Sequence, residues 1–366
     1  MGRGRILDNA ISRRQFLAGA GVTLGAAALT LANTQCDSAL IRRVAQSKTA
    51  TPPRHSAWVW QFSVDGSAAT IAAKLAQSNM SVLVKTHDGI DWMSKYDHAP
   101  GAITGPAQVA NVASIFERTG VPFHAWSVIK GIDPVREAQM AADVLAAGAR
   151  SLVLDLEGYA GFWVGSTAAA QKFGEELRRR VPTDRVDISI DARPWRLADV
   201  PIPEFVEFTD GIWPQLYWES FDTIDNVNGF RLMGYPPGPD GITPRFLVDA
   251  AQRVLTGYDR WIVPIGQGAS SDQYAWPLFA HRAWELGMPA VSAWRFGVTP
   301  TATLGYLASN PPGEEPFVPP AAMQSPTPTG TPAPGSPTPT PIVPTNTPRP
   351  TRTPSPTGTA SATPGV

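Results

Sequence analysis

Asp155 and Glu157 stand two residues apart at the end of the apolar run Ser151-Leu-Val-Leu-Asp155-Leu-Glu157-Gly-Tyr159. Successive side chains of a strand alternate between its faces, so residues two apart share one. Read as a strand, the run presents both carboxylates on one face at its C-terminal end. In a parallel α/β barrel that end is where active sites are built. A carboxylate pair there suits general acid/base work, glycoside cleavage above all. The plainer alternative is that the two groups cap the next helix or pair with nearby arginines.

The elements that must position them follow from an alternation. Apolar strand-like runs fall near residues 55–62, 81–87, 121–129, 151–157, 185–191, 211–218, 260–266 and 289–296. Helical patterns separate nearly all of them, at 68–78, 106–118, 134–147, 167–180, 244–255 and 273–286, with a last one at 301–308. Asp133-Pro134 and Thr243-Pro244 read as helix starts, and Gly120, Gly148 and Gly287 as helix ends. Strand–helix alternation with short connections predicts a parallel sheet. Eight such units predict an α/β fold, a single (β/α)8 TIM barrel over residues 54–312. A doubly wound open sheet is the runner-up. It would bring a glycine-rich loop after the first strand, and Phe62-Ser-Val-Asp-Gly66 is a poor one. The fifth unit is the weakest, with only a short helix near 201–208.

Polar residues collect at the predicted strand ends, while the starts and middles stay mostly apolar. Glu157, Asp155 and Tyr217 are the candidate catalytic residues. Lys85, His87, His124, Trp126, Asp191, Arg193, Gln215, Trp218, Gln267 and Trp294 are the candidate substrate-binding set. Lys85 could serve as a Schiff-base amine, but an ion pair with Asp155 is the expected role. All 12 tryptophans lie between Trp58 and Trp294. Flat aromatic rings suit the C–H faces of sugars, and Trp126, Trp218 and Trp294 are expected to face the mouth, with Trp163 on the loop beyond strand four.

Composition narrows the classes. The 366 residues carry a net charge of -1, which excludes a basic field for nucleic acid. The one cysteine, Cys36, permits no internal disulfide. The histidines 55, 87, 98, 124 and 281 form no H-x-H or H-E-x-x-H pattern, so neither a metal nor another cofactor is expected.

Both ends read as appendages. Ser12-Arg-Arg-Gln-Phe-Leu17 precedes an apolar run to Leu31 and resembles the twin-arginine export motif, with Ala18 where a lysine is common. Residues 1–36 are thus expected to be a signal segment read by the twin-arginine translocation machinery. The protein would be extracytoplasmic, in the cell envelope or secreted. An uncleaved membrane anchor and lipidation at Cys36 are the alternatives. Residues 37–53 read as a linker. Residues 313–366, rich in Pro, Thr and Ser, are expected to be a disordered tail with no core to bury.

At this point the chain resembles known glycosidase barrels. Leu154-Asp-Leu-Glu157 resembles the D-x-E core of the lysozyme-like glycoside hydrolase family 25, and the end of the D-x-x-D-x-D-x-E motif of family 18 chitinases. Gln215-Leu-Tyr217 is similar to the strand-six tyrosine of family 18, and Ser292-Ala-Trp294 to its strand-eight tryptophan. Two earlier aspartates of the chitinase pattern are replaced by Arg150 and Val153. The family 25 aspartate of strand one has no match in Trp58-Val-Trp-Gln-Phe62, and Asp65 lies beyond it. The resemblance implies a glycosidase acting on N-acetylated glycans, peptidoglycan or chitin-like. Glu157 would be the general acid, while Asp155 and Tyr217 would orient a 2-acetamido group that acts as internal nucleophile. A two-carboxylate route would instead pair Glu157 with Asp191 or Glu219. The competing class is a non-catalytic glycan-binding or envelope protein on a degenerate barrel.

Overall fold

The computed structural model describes residues 54–323. The signal segment, the linker and the tail beyond residue 323 lie outside the described residues. The core is a closed parallel barrel. Its strands are β1 (Ser56–Val59), β2 (Ser81–Asp88), β4 (Phe123–Val128), β5 (Ser151–Leu156), β6 (Arg185–Asp191) and β7 (Gly211–Leu216), followed by the split pair β8 (Trp261–Ile262) and β9 (Ile265–Gln267), and by β10 (Ser292–Trp294). A short β3 (Asp91–Trp92) pairs antiparallel with β2 outside the ring. Closure is explicit: β1 pairs with β2 on one side and β10 on the other. The seventh strand is split around Val263-Pro264, where a proline withholds a ladder donor.

Helices cover the outside, and their ends follow local chemistry. Ser67, Asp133, Ser166 and Thr243 each accept a backbone N–H of the first helical turn. Each such cap is worth about 1 kcal/mol. Pro106, Pro134 and Pro244 occupy the first turn, where a missing N–H costs nothing. The helix of the fifth unit, Ile202–Val206, is indeed short. Two helical segments after β7, Trp218–Phe221 and Ile224–Leu232, have no counterpart in the sequence reading. Phe62, read as the last residue of strand one, instead opens a helical turn, Phe62–Asp65. Asp65 causes this by accepting the Trp60 N–H at 2.6 Å, which curls the chain. Past residue 312 the chain still touches the barrel: Phe317 N–H donates to Asn310 at 2.6 Å, and the Tyr306 hydroxyl to the Phe317 carbonyl at 3.0 Å.

Strand alternation divides the side chains into two cores. Leu152, Leu154 and Leu156, like Val186, Ile188 and Ile190, point out to the helices. Trp58, Leu83, Trp126, Val153 and Trp213 fill the barrel itself. Four indoles form the central layer: Trp58 lies 5.3 Å from Trp126, 6.0 Å from Trp213 and 5.8 Å from Trp294. No helix of the described residues is long and apolar enough to cross a membrane.

Candidate active site at the barrel mouth

A cavity of about 490 Å³ opens above the indole layer, at the C-terminal ends of the strands. Asp155 and Glu157 line it together with Ser189, Gln215 and Tyr217. Asp155 and Glu157 arrive there because they leave β5 on its inward face. Gly158 then lets the backbone pass close to Asp199, against which any Cβ would clash. The loop closes when Trp163 N–H donates to the Glu157 carbonyl at 3.0 Å.

One neutral amide serves both acids. Gln215 Nε2 donates to Asp155 Oδ1 at 3.1 Å and to Glu157 Oε1 at 2.8 Å, with Ser189 Oγ at 3.3 Å. An amide nitrogen has two protons to give, and neither can neutralise a carboxylate. Burial pushes the Asp155 carboxyl well above its ordinary range, and the neighbouring Glu157 charge pushes the same way, against Ser189, Lys85 and Gln215. Burial raises Glu157 too, opposed by the Gln215 hydrogen bond. Like charges that interact this strongly titrate as a pair, and the pair holds a proton to higher pH than free carboxyls do. Burial and the surrounding carboxylates raise Tyr217 far above the usual phenol range, so it stays protonated. Its hydroxyl makes no hydrogen bond among the described residues, which leaves it free to donate into the cavity.

The walls are aromatic. Trp58, Trp60, Trp126, Phe162 and Trp294 line the cavity. Trp126 is fixed by its indole N–H, which donates to the Val59 carbonyl at 2.9 Å. Trp60 is 37% exposed, and the Arg295 guanidinium covers its ring at 5.4 Å. Among the described residues no cluster of metal-ligating side chains occurs.

The structure gathers Lys85, Trp126, Gln215 and Trp294 with the acid pair and Tyr217 in this cavity. It places the other candidates elsewhere. His87 points out of the barrel, because β2 carries a bulge between Lys85 and His87. One extra residue reverses the alternation. His87 therefore pairs with outward Ser127, and Asp88 turns inward. Asp88, not Asp155, then takes the Lys85 ion pair, at 2.9 Å. His124 opens β4 and so lies at the base of the barrel, bonded to Ser151 at 2.7 Å. Burial there drives its pKa down to about 3. Trp218 is packed in the helical layer against Trp276 and Phe279. Trp163 is buried against Phe205 and the Gly131 and Gly165 backbone and does not line the cavity.

Asp191 and Arg193 form a separate cluster beside the cavity. Asp191 Oδ2 accepts from Tyr159 at 2.7 Å and from Arg193 Nη2 at 2.5 Å, and Oδ1 accepts from Arg193 Nε at 2.9 Å. Gln267 sits on the rim, where its carbonyl oxygen caps Glu219 and Ser220 N–H and its amide holds Glu219. Glu219 is further occupied by Ser270 and Ser271. Asp191 is occupied by Arg193 and Tyr159, and Glu219 by Gln267, Ser270 and Ser271, so neither offers Glu157 a free second carboxylate, although the Asp191 charge acts on it. The sequence reading missed Trp58, Trp60, Phe162 and Ser189 as wall residues. Alternation from Trp58 to Trp60, and from Asp187 through Ser189 to Asp191, was the signal that could have found three of them.

No family model matches the chain, and no curated protein matches it. Solved structures with a similar fold include active domain 2 of a chitinase from Pyrococcus furiosus, in catalytic-site mutant form. It is 10% identical, with a TM-score of 0.46 over 71% of this chain and 95% of that one. A β-mannanase from Streptomyces thermolilacinus is 14% identical, with a TM-score of 0.44 over 67% of this chain and 79% of that one. The PgaB (BpsB) glycoside hydrolase domain from Bordetella bronchiseptica is 13% identical, with a TM-score of 0.44 over 70% and 99%. These likenesses are distant and concern the barrel alone.

Proposed function

We propose that this barrel hydrolyses N-acetylated glycans outside the cytoplasm. The observation that carries the reading is the Asp155–Glu157 pair, bridged by Gln215 inside an aromatic cavity. An acid catalyst must hold its proton near working pH, and burial, aided by the nearby Asp191 charge, raises Glu157 in that direction. Glu157 protonates the glycosidic oxygen. Asp155 accepts the acetamido N–H, and the Tyr217 hydroxyl donates to the acetamido carbonyl. That carbonyl oxygen attacks the anomeric carbon as the leaving oxygen takes the proton. Water then opens the ring so formed, with Glu157 as base. This is the substrate-assisted exception to the two-carboxylate scheme. The positions of Asp191 and Glu219 favour it over a route needing a second free carboxylate.

The test is to incubate the purified protein with N-acetylglucosamine oligomers and peptide-free wall glycan. Reducing ends are measured from pH 4 to 8 beside Glu157→Gln. Release that disappears in the variant supports the reading. Binding without release at any pH would leave a glycan-binding protein on a barrel scaffold. The extracytoplasmic location rests on the arginine pair Arg13-Arg14. Replacing both by lysine should retain the precursor in the cytoplasm, and unchanged export would refute it.

A further inference from the structure

The bulge in β2 gives one wall of the cavity an unequal balance of charge. Asp88 is held by two lysines, Lys85 at 2.9 Å and Lys130 at 2.6 Å. The nearby Asp91 already has its own cation, Lys95, at 2.7 Å. The wall therefore carries one positive charge more than its carboxylates balance. Lys85 is the inner of the two, with its side chain 8% exposed against 22% for Lys130.

Lys85 is more than Asp88 requires. Lys130 alone would pair that carboxylate, at the shorter distance. An ammonium brings three donors, and among the described residues only Asp88 accepts from Lys85. Its remaining support is the Trp126 ring, 5.2 Å away, and the Tyr96 ring at 6.0 Å. A buried cation with unused donors is costly unless something completes its shell. The carboxyl groups across the cavity do not complete it: among the described residues neither Asp155 nor Glu157 makes an ion pair or hydrogen bond with Lys85, and both are taken up by the Gln215 amide. Lys85 and the acid pair line one cavity, so a single oligosaccharide can meet both.

We infer that Lys85, backed by Lys130, is an anion subsite that selects glycans carrying a carboxylate on the sugar next to the one held at Asp155 and Glu157. This rests on the glycan reading above and narrows its substrate class. The carboxylate would accept charge-assisted hydrogen bonds from the unused Lys85 donors. Its source could be a ring carboxylate, as in a uronic acid, or an ether-linked side-chain carboxylate, as in wall glycan.

The experiment measures binding by calorimetry at low salt. One probe is a hexasaccharide of alternating N-acetylglucosamine and glucuronic acid. The other is peptide-free wall glycan strand. Each is compared with its own carboxyl-reduced form. At least one native glycan should bind about tenfold tighter than its reduced form, the value of one such contact. That ratio should fall to near one in Lys85→Met, where Lys130 still pairs Asp88 and protects the fold. Lys130→Met, at the more exposed position, should lower the ratio less. Equal binding of native and reduced forms of both probes overturns the subsite. So does a Lys85→Met protein that keeps the ratio and only shifts the acid limb of the pH–rate profile, since Lys85 would then act through Asp155 alone. If neither charged nor neutral glycan is bound or cleaved, the glycan reading itself fails, and the subsite with it.

Discussion

Two neighbouring strands end in buried acids that live in opposite surroundings. At the end of β5, Asp155 and Glu157 share a neutral amide, and among the described residues no arginine hydrogen-bonds to either. At the end of β6, Asp191 is wrapped by Arg193, with Arg196 at 4.0 Å and the Tyr159 hydroxyl at 2.7 Å. The guanidinium of Arg193 also reaches Asn226 at 3.0 Å and lies 4.5 Å over the Phe221 ring. Both sites are buried, so burial alone does not decide what an acid does. The partner decides. A fixed cation makes Asp191 an architectural charge that ties the β6 end to the β5 loop and to the helical segment after β7. A neutral donor leaves the β5 pair able to take up and give back a proton.

The contrast is open to direct tests. Glu157→Gln should lower glycan hydrolysis by about 10²–10⁴-fold, the usual contribution of general acid catalysis. Asp191→Asn should lower it by much less, and equal losses would erase the distinction. Arg193→Met should cost about 3–5 kcal/mol in denaturant unfolding, because it strands a buried carboxylate. A loss below 1 kcal/mol would mean that the cluster is ornamental. Gln215→Leu should cost about 1–3 kcal/mol by leaving two buried carboxyls without their shared donor, and it should also lower hydrolysis. The smallest effect concerns pH. A carboxyl whose pKa is raised by folding binds more protons folded than unfolded. Stability is then greatest below its unfolded pKa, about 4, and falls as pH rises through the folded value. Wild-type melting temperature should therefore decline between pH 4 and 8 through this pair, and Asp155→Asn should flatten the decline. A steeper decline in the variant would contradict the raised values.

Much of this was legible in the chain. Period-two alternation from Ser151 to Glu157 and from Gly211 to Tyr217 was enough to put Asp155, Glu157, Gln215 and Tyr217 around one space. Capping residues and glycines located the helices that cover the barrel within a residue or two, apart from the two segments after β7. The failures have separate causes. Alternation counts residues, and a bulge adds one without any sign in composition, so His87 and Asp88 exchanged faces. His124 was misplaced because the run 121–129 did not show where its strand begins, and a residue near the start belongs to the barrel base. Trp218 was misplaced because a helical turn starts there instead of the strand running on. An indole fits the helix–barrel layer as well as it fits a mouth, and sequence pattern does not separate the two.

The indole layer under the cavity also makes the molecule its own optical probe. Trp126 and Trp294 are 5.4 Å apart at an interplanar angle of 74°, and Trp58 lies within 6 Å of both. Transition dipoles so close and so inclined couple, which gives the folded barrel a strong near-ultraviolet circular dichroism band. Three of these chromophores form the cavity wall, so a molecule entering it alters their emission and their coupling without any attached dye. Ligand occupancy can thus be followed by light at micromolar protein. A library of glycans can be screened this way before any product is chemically identified.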